Sequence, residues 1–149
     1  MAPPLWSRTL ELPQQFKDAM VEHALAEDPN ECCGLIAGKD GKLMKHYAIT
    51  NVEKSPYRYK LDDKEFLDAY RDIGDNDWDL EVIYHSHTHS PAYPSATDIK
   101  LVTWPDSVYL LLSLAEQDES GTLVRKEPPE LRSYRIIDGE VTEEPIVVV

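Results

Sequence analysis

The chain has 149 residues, 42% of them hydrophobic and including three Trp and eight Tyr, which is enough apolar material for one core and excludes a disordered chain or two ordinary domains. Its 28 acidic residues against 15 basic ones leave a formal net charge of −13 with no Lys/Arg cluster; this balance excludes nucleic acid and anionic membrane as expected partners and is expected to serve solubility. No apolar run approaches the roughly 18 residues of a membrane span, and Met1-Ala2-Pro3-Pro4 lacks the basic and apolar regions of a secretory signal, so a cytoplasmic protein is expected.

Residues 7–12 alternate as a first strand. From Pro13 to Glu27, residues Phe16, Ala19, Met20, His23 and Ala24 fall at helical spacing, and Pro13 suits a first helical turn. His23 on this face is expected to be a packed core histidine. Cys32 and Cys33 are the only cysteines. Adjacent in sequence, they make a poor disulfide and read as packing residues at the start of a buried strand, in a reducing compartment. Strands over 33–39 and 42–50 meet at Asp40-Gly41, where the glycine can take a positive φ and close a hairpin. His46, in the second of these, has no partner at metal-ligand spacing and is expected to face solvent.

Residues 57–61 form a short strand candidate. Asp62-Asp63 then offers acids for the start of a helix with Phe66, Ala69, Tyr70 and Ile73 on one face, ending at Gly74. The apolar run 80–84 is a buried strand, and 95–103 a third helix stopped by Trp104-Pro105-Asp106, with the Trp as an aromatic plug. Residues 108–114 are another buried strand. The segment 116–129, with Gly, Ser and Pro128-Pro129, reads as a mobile loop. Strands over 131–137 and 141–148 pair through Asp138-Gly139, and Pro145 makes the last one an edge strand or irregular at that point.

The chemistry concentrates where the run 80–84 ends. His85 and His87, at i and i+2 on a strand, project to one face, so both imidazoles can reach one metal ion. Asp98, in the first turn of the helix that follows, can supply a third ligand and leave the fourth tetrahedral position for water, as a catalytic zinc requires. Glu31, just before the strand that opens at Cys33, is the candidate general base for that water. Ser95-x-x-Asp98 taken alone is a helix-opening capping box; Ser95 can serve both purposes. His89 creates a second, overlapping His-x-His, but only His85 and His87 leave seven residues before Ser95, so His89 is expected to be a loop residue.

This set, Glu31, His85-x-His87 and Ser95-x-x-Asp98, resembles the signature of the JAMM (MPN+) zinc metallopeptidases at every position. Glu31-Cys32-Cys33-Gly34-Leu35-Ile36-Ala37-Gly38, Ser55-Pro56, Ile83-Tyr84, Tyr93-Pro94 and Leu131-Arg132-Ser133-Tyr134-Arg135-Ile136 extend the resemblance to the short bacterial branch over nearly the whole chain. It implies a single α+β domain over 1–149, a curved mixed β-sheet flanked by helices with zinc at one end of the central strands. It also implies an activity: hydrolysis of the amide after the C-terminal Gly-Gly of a ubiquitin-like sulfur-carrier protein, releasing cysteine. His85, His87 and Asp98 would hold zinc, Glu31 would move the proton, and the Ser95 hydroxyl would donate to the oxyanion. The tail could lie along an edge strand, and Arg132 or Arg135 offers a charge for the carboxylate of a released cysteine. Two alternatives stand beside this reading: an isopeptidase that frees a ubiquitin-like modifier from lysine, and an interaction module without catalysis.

Overall fold

The computed structural model describes residues 8–149. In chain order the elements are β1 (Leu10–Leu12), α1 (Gln14–Glu27), β2 (Cys33–Lys39), β3 (Lys42–Ile49), α2 (Asp63–Asp75), β4 (Asp79–His87), α3 (Ala96–Lys100), β5 (Val108–Gln117), β6 (Leu123–Ile137), β7 (Glu140–Glu144) and β8 (Ile146–Val148). Six strands form one sheet in the order β3-β2-β4-β5-β6-β7, and β1 pairs with β8 in a second, two-stranded sheet. Only β4 and β5 run parallel in the large sheet. It is therefore a mixed sheet in an α+β fold, and β4 is one of its two central strands.

Successive side chains of a strand point to opposite faces, and this period divides the core in two. Val82 and Tyr84 of β4 and Leu110, Leu112 and Leu114 of β5 face Phe16, Met20 and Ala24 of α1. Ile83 of β4 and Tyr109 and Leu111 of β5 face the side covered by Ala69 and Phe66 of α2, where Trp104 also packs. Leu110, Leu112 and Tyr84 are fully buried; truncating a leucine at such a site costs about 2–5 kcal/mol. Gly34 is required by a close approach, because a Cβ there would collide with the Tyr84 ring and the Tyr47 carbonyl.

The helices at 13–27 and 62–74, the hairpin at Asp40-Gly41 and the strands over 33–39 and 80–84 agree with the sequence reading. Asp62 caps α2, its carboxylate accepting from the Glu65 N–H at 2.9 Å. Five expectations are corrected. The first strand is confined to Leu10–Leu12, and Ser7 lies outside the described residues. Residues 57–61 form no strand; Leu61 makes a single bridge to Asn51, and the rest follows an irregular path around the Asn51 side chain. The third helix has five residues rather than nine. The segment 116–129 is not a loop: β5 and β6 continue as a long antiparallel ribbon, pairing Ala115–Gln117 with Leu123–Arg125 and turning through 118–122. Finally, residues 141–148 do not form one strand. Pro145 ends β7, and β8 crosses to pair with β1.

Candidate metal centre

Beyond a register shift near the start of β4, Ile83 faces α2, so the pleat delivers His85 and His87 to the same side of the sheet. Beyond β4 the chain must return to place Asp98. His87 lies opposite Ser113 of β5, whose hydroxyl donates to the Ser90 carbonyl at 2.6 Å. The Tyr134 hydroxyl donates to the Ala92 carbonyl, and the Thr88 hydroxyl donates to the Pro29 carbonyl at 2.8 Å. These ties hold segment 88–94 and set the start of α3. There Ser95 and Asp98 form a complete capping box: the Ser95 Oγ accepts from the Asp98 N–H at 3.0 Å, and Asp98 Oδ2 accepts from the Ser95 N–H at 2.9 Å. The cap and the metal-ligand reading are thus one arrangement, because the same Oδ2 faces both histidines.

His85 Nε2, His87 Nε2 and Asp98 Oδ2 lie at 3.2 Å from one another in all three pairs. Tetrahedral zinc with bonds of about 2.0–2.1 Å spaces its ligand atoms roughly 3.3–3.4 Å apart. His87 Nδ1 donates to the Pro91 carbonyl at 2.9 Å, which places the lone pair of that ring on Nε2. Both histidines are buried. With both imidazoles neutral and their Nε2 lone pairs turned inwards, the two nitrogens and the carboxylate oxygen would repel one another unless a cation sat between them, so the donor set fits a divalent metal ion. It is the sole group of three or more potential ligands among the described residues that converges in this way.

Glu31 precedes β2 and is 3% exposed, with its N–H bonded to the Ser55 carbonyl at 2.9 Å. Among the described residues its Oε1 has no hydrogen-bond partner. Burial pushes its carboxyl up to about 8, an effect opposed by the charge of His87 and supported by Asp98. Burial also lowers the pKa of His85. For His87 burial acts the same way, but Asp98, the Pro91 carbonyl and Glu31 outweigh it and raise the pKa. Asp98 is raised by burial, yet the two histidines outweigh that and hold it well below the usual carboxylate range. Beside Glu31 opens a cavity of about 410 Å³, reached also by His23, Glu27, Asn51, Lys54 and Glu65. A larger cavity of about 690 Å³, near Arg8, Asp106 and Arg135, contains none of these groups and carries none of the chemistry.

All five residues singled out in the sequence lie at this end of the sheet. His89 does not join them: it is exposed, with its ring against Tyr57. Arg132 pairs with Glu130 and Glu143, and Arg135 with Glu144 and the Asp106 carbonyl, so neither is free for a product carboxylate. Cys32 and Cys33 are buried free thiols, as expected. His46 is corrected: it is half-buried, with Nε2 at 2.6 Å from the Tyr84 hydroxyl, and His23 Nδ1 meets the same hydroxyl at 2.7 Å. Sequence reasoning missed Tyr59, stacked on His85 with ring centroids 4.2 Å apart, and Asn51, which binds the Glu31 carbonyl. Neither carries a spacing signal.

The family model for prokaryotic homologs of the JAB domain matches residues 13–137. The chain is 47% identical over 134 residues to the CysO-cysteine peptidase of Mycobacterium tuberculosis, covering 89% of this chain and 86% of that one. It is 35% identical over 117 residues to the desampylase of Haloferax volcanii, covering 72% and 82%. The solution structure of a protein from Desulfitobacterium hafniense superposes with a TM-score of 0.79 at 33% identity, over 95% of this chain and 93% of that one.

Proposed function

The chain belongs to the family of prokaryotic homologs of the JAB domain, and on that premise we propose that it is a zinc-dependent peptidase that hydrolyses the amide after the C-terminal Gly-Gly of a ubiquitin-like sulfur-carrier protein and releases cysteine. The observation that carries this reading is the convergence of His85, His87 and Asp98 at 3.2 Å within electrostatic reach of the buried, unpaired carboxyl of Glu31. The relative named as a CysO-cysteine peptidase, at 47% identity, directs the choice of substrate. Among the described residues no helix is long and apolar enough to cross a membrane, and we assign the protein to the cytoplasm.

In this reading His85, His87 and Asp98 would hold the metal as two neutral imidazoles and one carboxylate. Zinc bound there would polarise the scissile carbonyl and bring the pKa of a water molecule towards about 7. Glu31 accepts the proton of the attacking water and delivers it to the leaving amine; a carboxyl whose pKa burial has raised can both take and return that proton near neutral pH. Ser95 uses a lone pair to accept the Asp98 N–H, which leaves its hydroxyl proton free to donate to the developing oxyanion. Water attacks directly, so the cycle needs no covalent acyl-enzyme. With its ligand residues present, the chain is not read as an interaction module.

A second substrate reading has its own support. Desampylases are among the relatives, which favours an isopeptidase that frees a ubiquitin-like modifier from lysine. Intact-mass spectrometry of a carrier protein ending in Gly-Gly-Cys separates the two. Loss of one cysteine residue with wild type, and none with chelated enzyme or with Glu31→Gln, is the expected result. No loss with zinc-loaded wild type, together with cleavage of a carrier–lysine conjugate, would reject the cysteine substrate in favour of the isopeptidase.

A further inference from the structure

A histidine that binds a metal is usually fixed in its orientation by a hydrogen bond at its other ring nitrogen. His87 has such a bond, from Nδ1 to the Pro91 carbonyl. His85 does not: its Nδ1 is buried and has no partner among the described residues. What holds that ring is Tyr59, stacked at 4.2 Å between centroids with 24° between planes.

Tyr59 lies in the irregular segment between β3 and α2, where no ladder fixes the backbone. Asn51 does so in its place. Its amide nitrogen donates to the Glu31 carbonyl at 3.0 Å and to the Arg58 carbonyl at 3.1 Å, and its oxygen accepts from the N–H groups of Glu53 and Lys60, each at 3.0 Å. Two donors and two acceptor positions are therefore all used, at a side chain only 8% exposed. The bonds to Arg58 and Lys60 bracket Tyr59 in sequence, and the bond to Glu31 ties the same amide to the backbone of the candidate base. One side chain thus links the proton carrier to the residue that orients a metal ligand.

Resting on the peptidase reading above, we propose that Tyr59 is a positioning residue for His85, its ring taking the place of the missing Nδ1 partner, and that Asn51 sets Tyr59 and Glu31 in one frame. The stacked ring matters here and the phenol oxygen does not, because among the described residues no hydrogen bond engages it. Tyr59→Phe therefore keeps the arrangement, whereas Tyr59→Leu fills the space without a flat face and lets His85 rotate.

The test is a competitive zinc titration of the folded proteins against a chromophoric chelator, together with the visible spectrum of the cobalt-substituted forms. Neither uses a substrate, so the outcome is independent of which carrier adduct is cleaved. Tyr59→Leu is expected to weaken zinc by 10- to 100-fold and to shift the cobalt bands, with Tyr59→Phe within about twofold of wild type by analogy with retained stacking. A merely structural Tyr59 would lower the melting temperature and leave affinity and spectrum unmoved, which would overturn the proposal. Should Tyr59→Leu fail to fold, Asn51→Asp serves instead: it has the same shape but turns a carboxylate towards two carbonyls. It is expected to weaken zinc and to lower kcat more than it changes KM; wild-type zinc affinity and kcat in that variant would equally overturn the proposal.

Discussion

Tyr84 and His85 are neighbours on β4, yet each lies in a histidine cluster of a different kind. On the face towards α1, the Tyr84 hydroxyl bridges His23 and His46 at 2.7 and 2.6 Å. A phenol both donates and accepts, and each neutral imidazole can take either role, so those polar atoms satisfy one another. On the face towards α2, two imidazole nitrogens and a carboxylate oxygen meet at 3.2 Å, with the unpaired Glu31 oxygen buried nearby. Among the described residues those three are the only potential ligand atoms that converge in this way. The contrast teaches that clustered histidines do not by themselves mark a metal centre. The mark is a set of potential ligand atoms that converge on one buried point, with an unpaired carboxyl oxygen beside them.

Removing a member from each cluster should break the symmetry most visibly. Asp98→Ala is expected to abolish bound zinc and turnover, while His46→Ala keeps one zinc per chain; elemental analysis of purified protein reports both. Zinc retained by Asp98→Ala, or lost from His46→Ala, would reverse the assignment of the two clusters.

A smaller effect separates the observed cap of Ser95 from its proposed role as oxyanion donor. Ser95→Ala is expected to lower kcat by about 10²–10³, or roughly 2.7–4 kcal/mol in the transition state, while the lost cap costs only about 1 kcal/mol of stability. Steady-state kinetics beside urea unfolding measures the two separately. A fall in kcat of only a few-fold would make Ser95 a helix cap and nothing more.

The satisfied cluster should reveal itself in stability. Tyr84→Phe leaves two partly buried ring nitrogens without a partner and is expected to cost about 1–3 kcal/mol with zinc content unchanged. The smallest expected effect is in pH dependence. Burial, and then the neighbouring His23, lowers His46 to about 4; burial also lowers His23, against the pull of Glu27. As pH falls below about 6.5 the unfolded chain takes up protons that these folded imidazoles refuse. Their contribution to stability is therefore complete above about 6.5 and is lost as pH falls towards 4. Discounted for partial exposure, it amounts to about 1 kcal/mol. The urea midpoint of wild type minus that of His46→Gln, followed from pH 7 to 4, should shrink; a difference that stays constant would mean that His46 titrates normally.

Patterns confined to a few residues were legible in the sequence. The pleat's period of two placed His85 and His87 on one face, the capping box placed Asp98 at the start of a helix, and helical spacing located α1 and α2, because each rests on local geometry that neighbouring residues dictate. The long β5–β6 ribbon was hidden by Gly121 and Pro128-Pro129, whose local signals favour a loop but are overridden by pairing across the sheet. His46 was misplaced for a similar reason. Its environment is set by Tyr84, 38 residues away, which reaches it across Gly34. The stacking of Tyr59 on His85 and the four bonds of Asn51 join segments with no common periodicity. The sequence by itself determined which side chains could bind a metal and move a proton, since those depend on residue type and short spacing. Only the tertiary structure decided that Glu31 is buried with an unpartnered oxygen, that three potential ligand atoms meet at one point, and that a second histidine cluster is closed by a phenol instead, since each depends on contacts between segments distant in the chain.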